Sequence, residues 1–313
     1  MTVVLLGPQR YRQSSRSAAR DLADGGRVAV VNAGWQHREA DDAELLDVMG
    51  DGARNLELYR RWNEVMDDDA ELAEEYGSHM TLLMEHLALY EIRLNAALEC
   101  FHLLWRRRVQ DADLHDGALT AALAAVRDVD SWHLYQTSLL VRRFAARSQP
   151  ARRPSVLGHR EDVAEIIADS SVLALAGGHV GVLMECLELF GVTAVLTSRR
   201  RPPLLAWSAG AMALCEYVVL FADDEPQGNG HPEVFRAGLG VVRHLVPLPH
   251  ARRRLRLHDK ARVSALAGRF PGSVCAILDD AVRVPIGPDG RPPTGLPTLT
   301  VEGDVTNPEA SVA

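Results

Sequence analysis

Three short segments of this 313-residue chain hold residue types that can do acyl chemistry. In Leu204-Leu205-Ala206-Trp207-Ser208-Ala209-Gly210-Ala211-Met212 an apolar run passes into small residues around Ser208 and then into a helical pattern. A sharp strand-to-helix turn needs such neighbours, because a bulky Cβ would collide across it, and it leaves one side chain at its apex. The head of the helix also aims backbone N–H groups and the positive end of its dipole at an oxyanion forming beside Ser208. The same residues suit a tight turn whose serine merely caps the helix, so from this segment alone Ser208 reads equally as nucleophile or as N-cap. A second apolar run, Val172 to Leu175, leads through Ala176 to Gly177-Gly178-His179. If both runs are strands of one α/β sheet, both turns lie at the carboxyl ends of strands, where ligands bind, and the Gly178 N–H can join that of Ala209 as an oxyanion donor pair. The third segment, Val246-Pro247-Leu248-Pro249-His250, puts a histidine directly after an apolar strand. A serine hydroxyl needs a base; a neutral imidazole is the usual one, with a carboxylate to hold its tautomer.

The elements that must position these residues follow from hydrophobic patterning. Val3 to Leu6 and Val28 to Asn32 read as buried parallel strands on either side of a helical segment with Ser14, Ser15 and Ser17, a β-α-β opening. From Asp42 to about Arg147 there is no strand signal and no proline, and apolar residues recur at helical spacing, most clearly over Thr81 to Trp105 and Ala118 to Phe144. Asp67-Asp68-Asp69 and Gly77-Ser78 read as helix boundaries inside this block. After the linker Ser148 to Pro154 the α/β pattern resumes with a helix from Arg160 to Asp169 and the strand Val172 to Leu175. Further strands are predicted at Val192 to Leu196, Leu204 to Trp207, Tyr217 to Phe221 and Leu239 to Val242, and then at Val274 to Leu278, Val282 to Ile286 and Thr298 to Val301. The fold class is therefore α/β: a mostly parallel sheet flanked by helices, formed by residues 1–41 and 151–304 and interrupted by a helical insertion over 42–150, with a disordered tail over 305–313.

Composition narrows the function classes. Apolar residues make up 47% of the chain, enough for a core without metals or disulfides. A net charge of −8 gives no global positive field for a polyanion, which argues against nucleic acid as partner. Cys100, Cys186, Cys215 and Cys275 lie far apart with no CxxC pair, so reduced core thiols are expected and not a zinc ribbon or redox dithiol. No apolar run approaches the roughly 18 residues of a bilayer span, and the start of the chain lacks a signal-peptide pattern, which predicts a cytoplasmic protein without a membrane partner. His79 and His86, flanking Glu85, are two helical turns apart, too far for a paired ligand set, so no metal and no cofactor are expected. All basic residues but Lys260 are arginine, leaving Lys260 as the one candidate for Schiff-base chemistry. Of the three arginine triplets, 106–108, 199–201 and 252–254, the last follows His250 closely enough that Arg252 can bind a substrate carboxylate.

AGGH, then AWSAGA, then GLG followed by PH, in this order, resembles the peptidase E and cyanophycinase family of serine peptidases. The resemblance covers 1–41 and about 155–303. It implies a class I glutamine amidotransferase-like, flavodoxin-like three-layer fold, with Ser208 as nucleophile, His250 as base, and Gly178 and Ala209 as oxyanion hole. It also suggests the acid: Ile277-Leu278-Asp279-Asp280-Ala281-Val282 is similar to an acidic strand end of the family and makes Asp280 the preferred orienter of the histidine, while Asp223, after the nucleophile helix, can support the histidine or bind a substrate amine. The chain departs from the pattern where Trp207 replaces a small polar residue, His179 an asparagine and Ala251 an aromatic, and in its helical insertion. Trp207 is expected either to wall a pocket or to pack under the turn.

The expected activity is hydrolysis of a peptide or related amide bond through a Ser208 acyl-enzyme. The alternative is a catalytically inactive relative, a scaffold whose helical insertion binds a partner. A glutamine amidotransferase is disfavoured, because those enzymes carry cysteine at the turn, and Cys215 stands seven residues on. The wide apolar face of the Thr81 to Trp105 helix is either covered within a local bundle or serves as a homodimer surface.

Overall fold

The computed structural model describes residues 2–10, 13–223 and 231–306. The chain opens with β1 (Val3–Leu6), α1 (Ser15–Ala23) and β2 (Val28–Val31), followed by α2 (Ala43–Met49), a short β3 (Arg54–Asn55) and α3 (Leu58–Asp68). Two 37-residue helices come next, α4 (Ala70–Arg106) and α5 (Ala112–Ser148), then α6 (Pro154–Ala168). β4 (Val172–Leu175), α7 (Val180–Leu189), α8 (Val192–Thr197), β5 (Leu204–Trp207) and α9 (Ala209–Leu214) form the centre of the core. The chain ends with β6 (Tyr217–Leu220), β7 (Glu233–Ala237), β8 (Leu245–Pro249), α10 (Ala251–Arg254), α11 (Lys260–Gly268), β9 (Val274–Leu278), β10 (Arg283–Ile286), β11 (Thr298–Leu299) and β12 (Val305–Thr306).

Six strands form the main sheet in the order β10-β1-β5-β4-β2-β3, parallel throughout except for the edge strand β10. The apolar runs VVLL, VAVV, VLAL and LLAW are continuous because both faces are covered. Val3, Leu5, Leu173, Leu175, Leu204 and Ala206 pack on one face with α3, α6, α7 and α9; Val4, Leu6, Val172, Ala174, Leu205 and Trp207 pack on the other with α1 and α2. The register aligns the strand ends: Leu6 lies opposite Trp207, Ala206 opposite Leu175, and Leu175 opposite Val31. The loops leaving β1, β5, β4 and β2 therefore gather at one carboxyl edge.

A second sheet, β12-β11-β9-β8, has β8 and β9 parallel, with Pro249 opposite Leu278. His250 and Asp279 thus leave neighbouring strand ends. The amide of Gly7, after β1, donates to the Val282 carbonyl at 2.9 Å, so the two carboxyl edges meet.

α4 and α5 form an antiparallel hairpin around Leu94, Leu98, Phe101, Ala122 and Val126. It is tied to the core by a buried polar anchor. Tyr90 Oη donates to Asp130 (2.8 Å) and accepts the Val234 amide of β7 (3.0 Å), while Arg269 holds both Asp130 carboxylate oxygens at 2.6 and 2.8 Å.

Several sequence expectations are corrected. Val192 to Leu196 is helical: only Val192 and Leu196 are buried, an i,i+4 stripe, and Gly191 at φ 72° turns the chain into α8. Leu239 to Val242 is not a strand, because its amides at Leu239, Gly240 and Val242 bond the carbonyls of Ala213, Cys215 and Leu214 at the end of α9. β3 lies inside the stretch read as strandless, and α2 and α3 pack on the two faces of the sheet, so the appended part is α4–α5 and not all of 42–150. Gly77-Ser78 lies within α4, whose start is capped by Asp69 accepting the Leu72 amide at 3.0 Å. Val305–Thr306 pairs with β11; the rest of the expected tail lies outside the described residues. Cys100 is exposed, while the other three thiols are buried.

Candidate active site

Ser208 sits between β5 and α9 at φ 50°, ψ −119°, a left-handed conformation that a non-glycine residue adopts at a cost of order 1–3 kcal/mol. Its surroundings enforce this. A Cβ on Gly210 would lie 2.4 Å from the Leu175 carbonyl oxygen, and a Cβ on Gly177 would lie 2.9 Å from that of Ser208. Gly178, at φ 115°, presses on the backbone of Gly34, whose carbonyl accepts the His179 amide at 2.7 Å. The β4 and β5 turns are therefore held in contact by glycine alone. Among the described residues neither the Gly178 nor the Ala209 amide donates to a protein acceptor, so both remain available to a ligand at the head of α9. Ser208 occupies the N-cap position, its carbonyl accepting the Met212 amide at 3.0 Å, but its hydroxyl makes no capping bond to the helix.

A cavity of about 1000 Å³ opens over this turn, and Gly177, Gly178, His179, Trp207, Ser208, Ala209 and His250 all line it. Ser208 and His250, 42 positions apart, thus face one space; both are half-buried, and among the described residues no hydrogen bond joins them. His250 is itself left-handed, at φ 60°, at the head of α10. Its imidazole is held below the ordinary histidine range first by burial and then by the positive charges of Arg254, Arg253 and Arg10, with Asp280 opposing them. A depressed value keeps the ring neutral, as a base requires.

The other sequence candidates fall into place unevenly. Asp280 is near enough to His250 for its charge to be felt, without a hydrogen bond to the ring among the described residues. Its neighbour Asp279 lies against the Ala251 and Arg252 amides at the head of α10 and pairs with Arg252 at 3.2 Å; burial raises its pKa. Arg252 is thereby turned away, and it is Arg253 and Arg254 that border the cavity. Asp223 is buried and fully engaged, accepting from Arg262 at 2.6 Å and from the Arg256 amide at 2.9 Å, so its carboxylate serves the loop after α10 rather than the cavity. His179 caps α7, its Nδ1 accepting the Val182 amide at 3.2 Å. Trp207 packs its indole beneath the turn among Val4, Leu6 and Val48 and shows an edge to the cavity. Burial pushes the Cys275 thiol up to about 12 and raises that of Cys215 further, so neither is a nucleophile here. Lys260 pairs with Asp304 at 2.8 Å, away from the cavity.

Sequence reasoning missed Arg10, from the loop after β1, and Trp35 and Arg38, from the short 3-10 helix Ala33–Arg38 after β2, which line the same cavity. Gly34, three residues beyond β2 and wedged against Gly177 and Gly178, was the available signal. Among the described residues no helix is long and apolar enough to cross a membrane.

No family model matches this chain, and no curated protein does. Among solved structures, a peptidase from an acI-B1 Actinobacterium aligns at 11% identity with a TM-score of 0.44, over 96% of this chain and 91% of that one. A likeness so distant fixes neither chemistry nor substrate, since one architecture hosts many activities.

Proposed function

We propose that this protein is a serine hydrolase of the class I glutamine amidotransferase-like, three-layer architecture, similar in plan to peptidase E, cleaving a peptide or related amide bond. The observation that carries the reading is the left-handed Ser208 at the end of β5, facing one cavity with His250 and with two amides that have no protein acceptor among the described residues. Ser208 Oγ attacks the substrate carbonyl carbon as its proton passes to the His250 ring, and the oxyanion is held by the Gly178 and Ala209 amides. His250 then returns the proton to the leaving amine, the C–N bond breaks, and water releases the acyl group by the same route in reverse. Asp280 orients the ring. The Ser208 to His250 hydrogen bond forms with substrate in place, as catalytic contacts often tighten only in the complex. Arg10, Arg38, Arg253 and Arg254 outnumber Asp41 and Glu44 on the cavity wall, which favours a substrate bearing a carboxylate near the scissile bond.

A fluorophosphonate reagent tests this. It should label Ser208 in the native chain, fail with Ser208→Ala, and react about 100-fold or more slowly with His250→Ala. Native protein that resists labelling, or equal labelling of Ser208→Ala, overturns the reading. A second reading, an inactive core whose hairpin binds a partner, draws on Leu82, Met84, Leu89, Ile92 and Leu103, which stand exposed on α4. It predicts the unlabelled outcome.

A further inference from the structure

α7 joins two cavities. Its first residues border the Ser208 space, while Glu185, Glu188 and Leu189 at its far end border a second cavity of about 470 Å³ under the hairpin, within the range of small-ligand sites. β7 divides them likewise: Phe235 faces the first and Arg236 the second. The walls of the second cavity are apolar and aromatic. Trp62 and Tyr76 meet edge to face at 5.4 Å, Phe144 lies 6.1 Å from Tyr76, and His79 stacks on Phe144 at 4.6 Å.

The polar groups in this apolar space are not balanced. Glu188 is ion-paired with Arg236, and Glu185 accepts the Tyr76 hydroxyl; of the two guanidiniums on the lining Arg152 is exposed, so inside the cavity both carboxylates face Arg236. Burial raises the pKa of Glu185, with Arg236, the ion-pair partner of Glu188, opposing it, and burial with Arg236 nearby keeps His79 neutral. Arg236 Nε, although buried, has no hydrogen-bond acceptor among the described residues. A buried donor without a partner is costly, and so is a buried charge that is only half answered.

We infer that this cavity binds a small apolar aminoacyl amide: a primary ammonium, a carbonyl on the neighbouring carbon and an aromatic or large aliphatic side chain. The ammonium answers Glu185, the carbonyl oxygen accepts from Arg236 Nε, and the side chain lies against Trp62, Phe144 and Leu72, where the aromatic faces also favour the cation. This site is independent of the Ser208 reading.

Calorimetric titration of the full chain carrying Ser208→Ala, which cannot form an acyl-enzyme, tests it with three probes. Phenylalaninamide carries all three features, 3-phenylpropanamide lacks the ammonium, and phenethylamine lacks the carbonyl. Phenylalaninamide should bind about tenfold or more tightly than either, roughly what one charge-assisted hydrogen bond supplies. Glu185→Gln, an isosteric change, should remove its advantage over 3-phenylpropanamide, and Leu83→Trp, which fills the cavity, should abolish binding of all three. Absence of binding, three equal affinities, or a phenylalaninamide affinity unchanged by both substitutions overturns the proposal. Should Glu185→Gln fail to fold, the probe ranking and Leu83→Trp still decide.

Discussion

The main sheet and the long hairpin hold their places by opposite means. In the sheet, side chains alternate between two apolar layers and the turns fit because glycine alone fits them: Gly177, Gly178, Gly34 and Gly210 bring backbones within a Cβ's width of one another. In the hairpin, α4 leaves large apolar side chains in water, and the Tyr90, Asp130 and Arg269 anchor ties the pair to the core. Apolar burial is non-directional and sets no rotation of a helix pair, whereas a fully bonded buried ion pair admits one. The core is thus specified by shape and the hairpin by polarity.

The sharpest way to break this comparison is at the anchor. Asp130→Ala leaves the Arg269 guanidinium buried without its carboxylate, with side-chain exposures of 1% and 8% in the native pair, and should cost about 3–5 kcal/mol in urea unfolding. Asp47→Ala, which removes the exposed Arg16 pair, should cost less than about 1 kcal/mol. Equal losses would mean that the anchor is incidental. A smaller effect tests the other side of the comparison. Gly210→Ala pushes a Cβ into the Leu175 carbonyl and should destabilise by about 1–3 kcal/mol while displacing the Ser208 turn and slowing phosphonylation, whereas Gly77→Ala, with open space around it on α4, should stabilise by about 1 kcal/mol.

The same contrast explains what could be read in the sequence. VVLL, VAVV, VLAL, LLAW and VCAIL are strands where expected, because continuous burial writes itself as continuous apolar residues. VTAVLT has that signature but is a helix, since so short a run does not distinguish two periods. Arg54–Asn55 is polar and at a sheet edge, so nothing in its composition marks it as a strand. At the candidate site, local turn chemistry was enough to single out Ser208, His250 and the two glycines, which line one cavity. The acids were not, because Asp223, Asp279 and Asp280 look alike in sequence and differ only in which arginine or amide reaches them: Arg262 takes Asp223, and Arg252 takes Asp279. The anchor escaped for the same reason, its members lying 40 and 139 residues apart.

Strain at the turn gives a third test. At φ 50° an alanine in place of Ser208 keeps the strain and a glycine removes it, so Ser208→Gly should be more stable than Ser208→Ala by about 1 kcal/mol, with neither labelled. Equal stabilities would imply that the turn relaxes in solution.

The subtlest test sets one histidine of each region against the other. His250 and His133 are both held below the usual 6.5, and burial is the leading cause in each. For His250 the next causes are the charges of Arg254 and Arg253, whereas His133 is stacked on His86 and bonded to the Phe235 carbonyl at 2.9 Å, out of reach of those arginines. Arg254→Gln should therefore raise the His250 pKa seen by NMR, moving the acidic limb of any Ser208-dependent activity to higher pH, and leave His133 unmoved. Each ring is neutral in the fold and more basic in the unfolded chain, so its contribution is fully present above 6.5 and is lost as the pH falls below that value and the unfolded state takes up protons first. His133→Gln should flatten that acid-side loss of stability, while Arg254→Gln should soften only the part due to His250. A shift of both rings by Arg254→Gln would mean that the arginine field extends through β7 into the hairpin, and the division between a core set by shape and a hairpin set by polar contacts would have to be redrawn along β7.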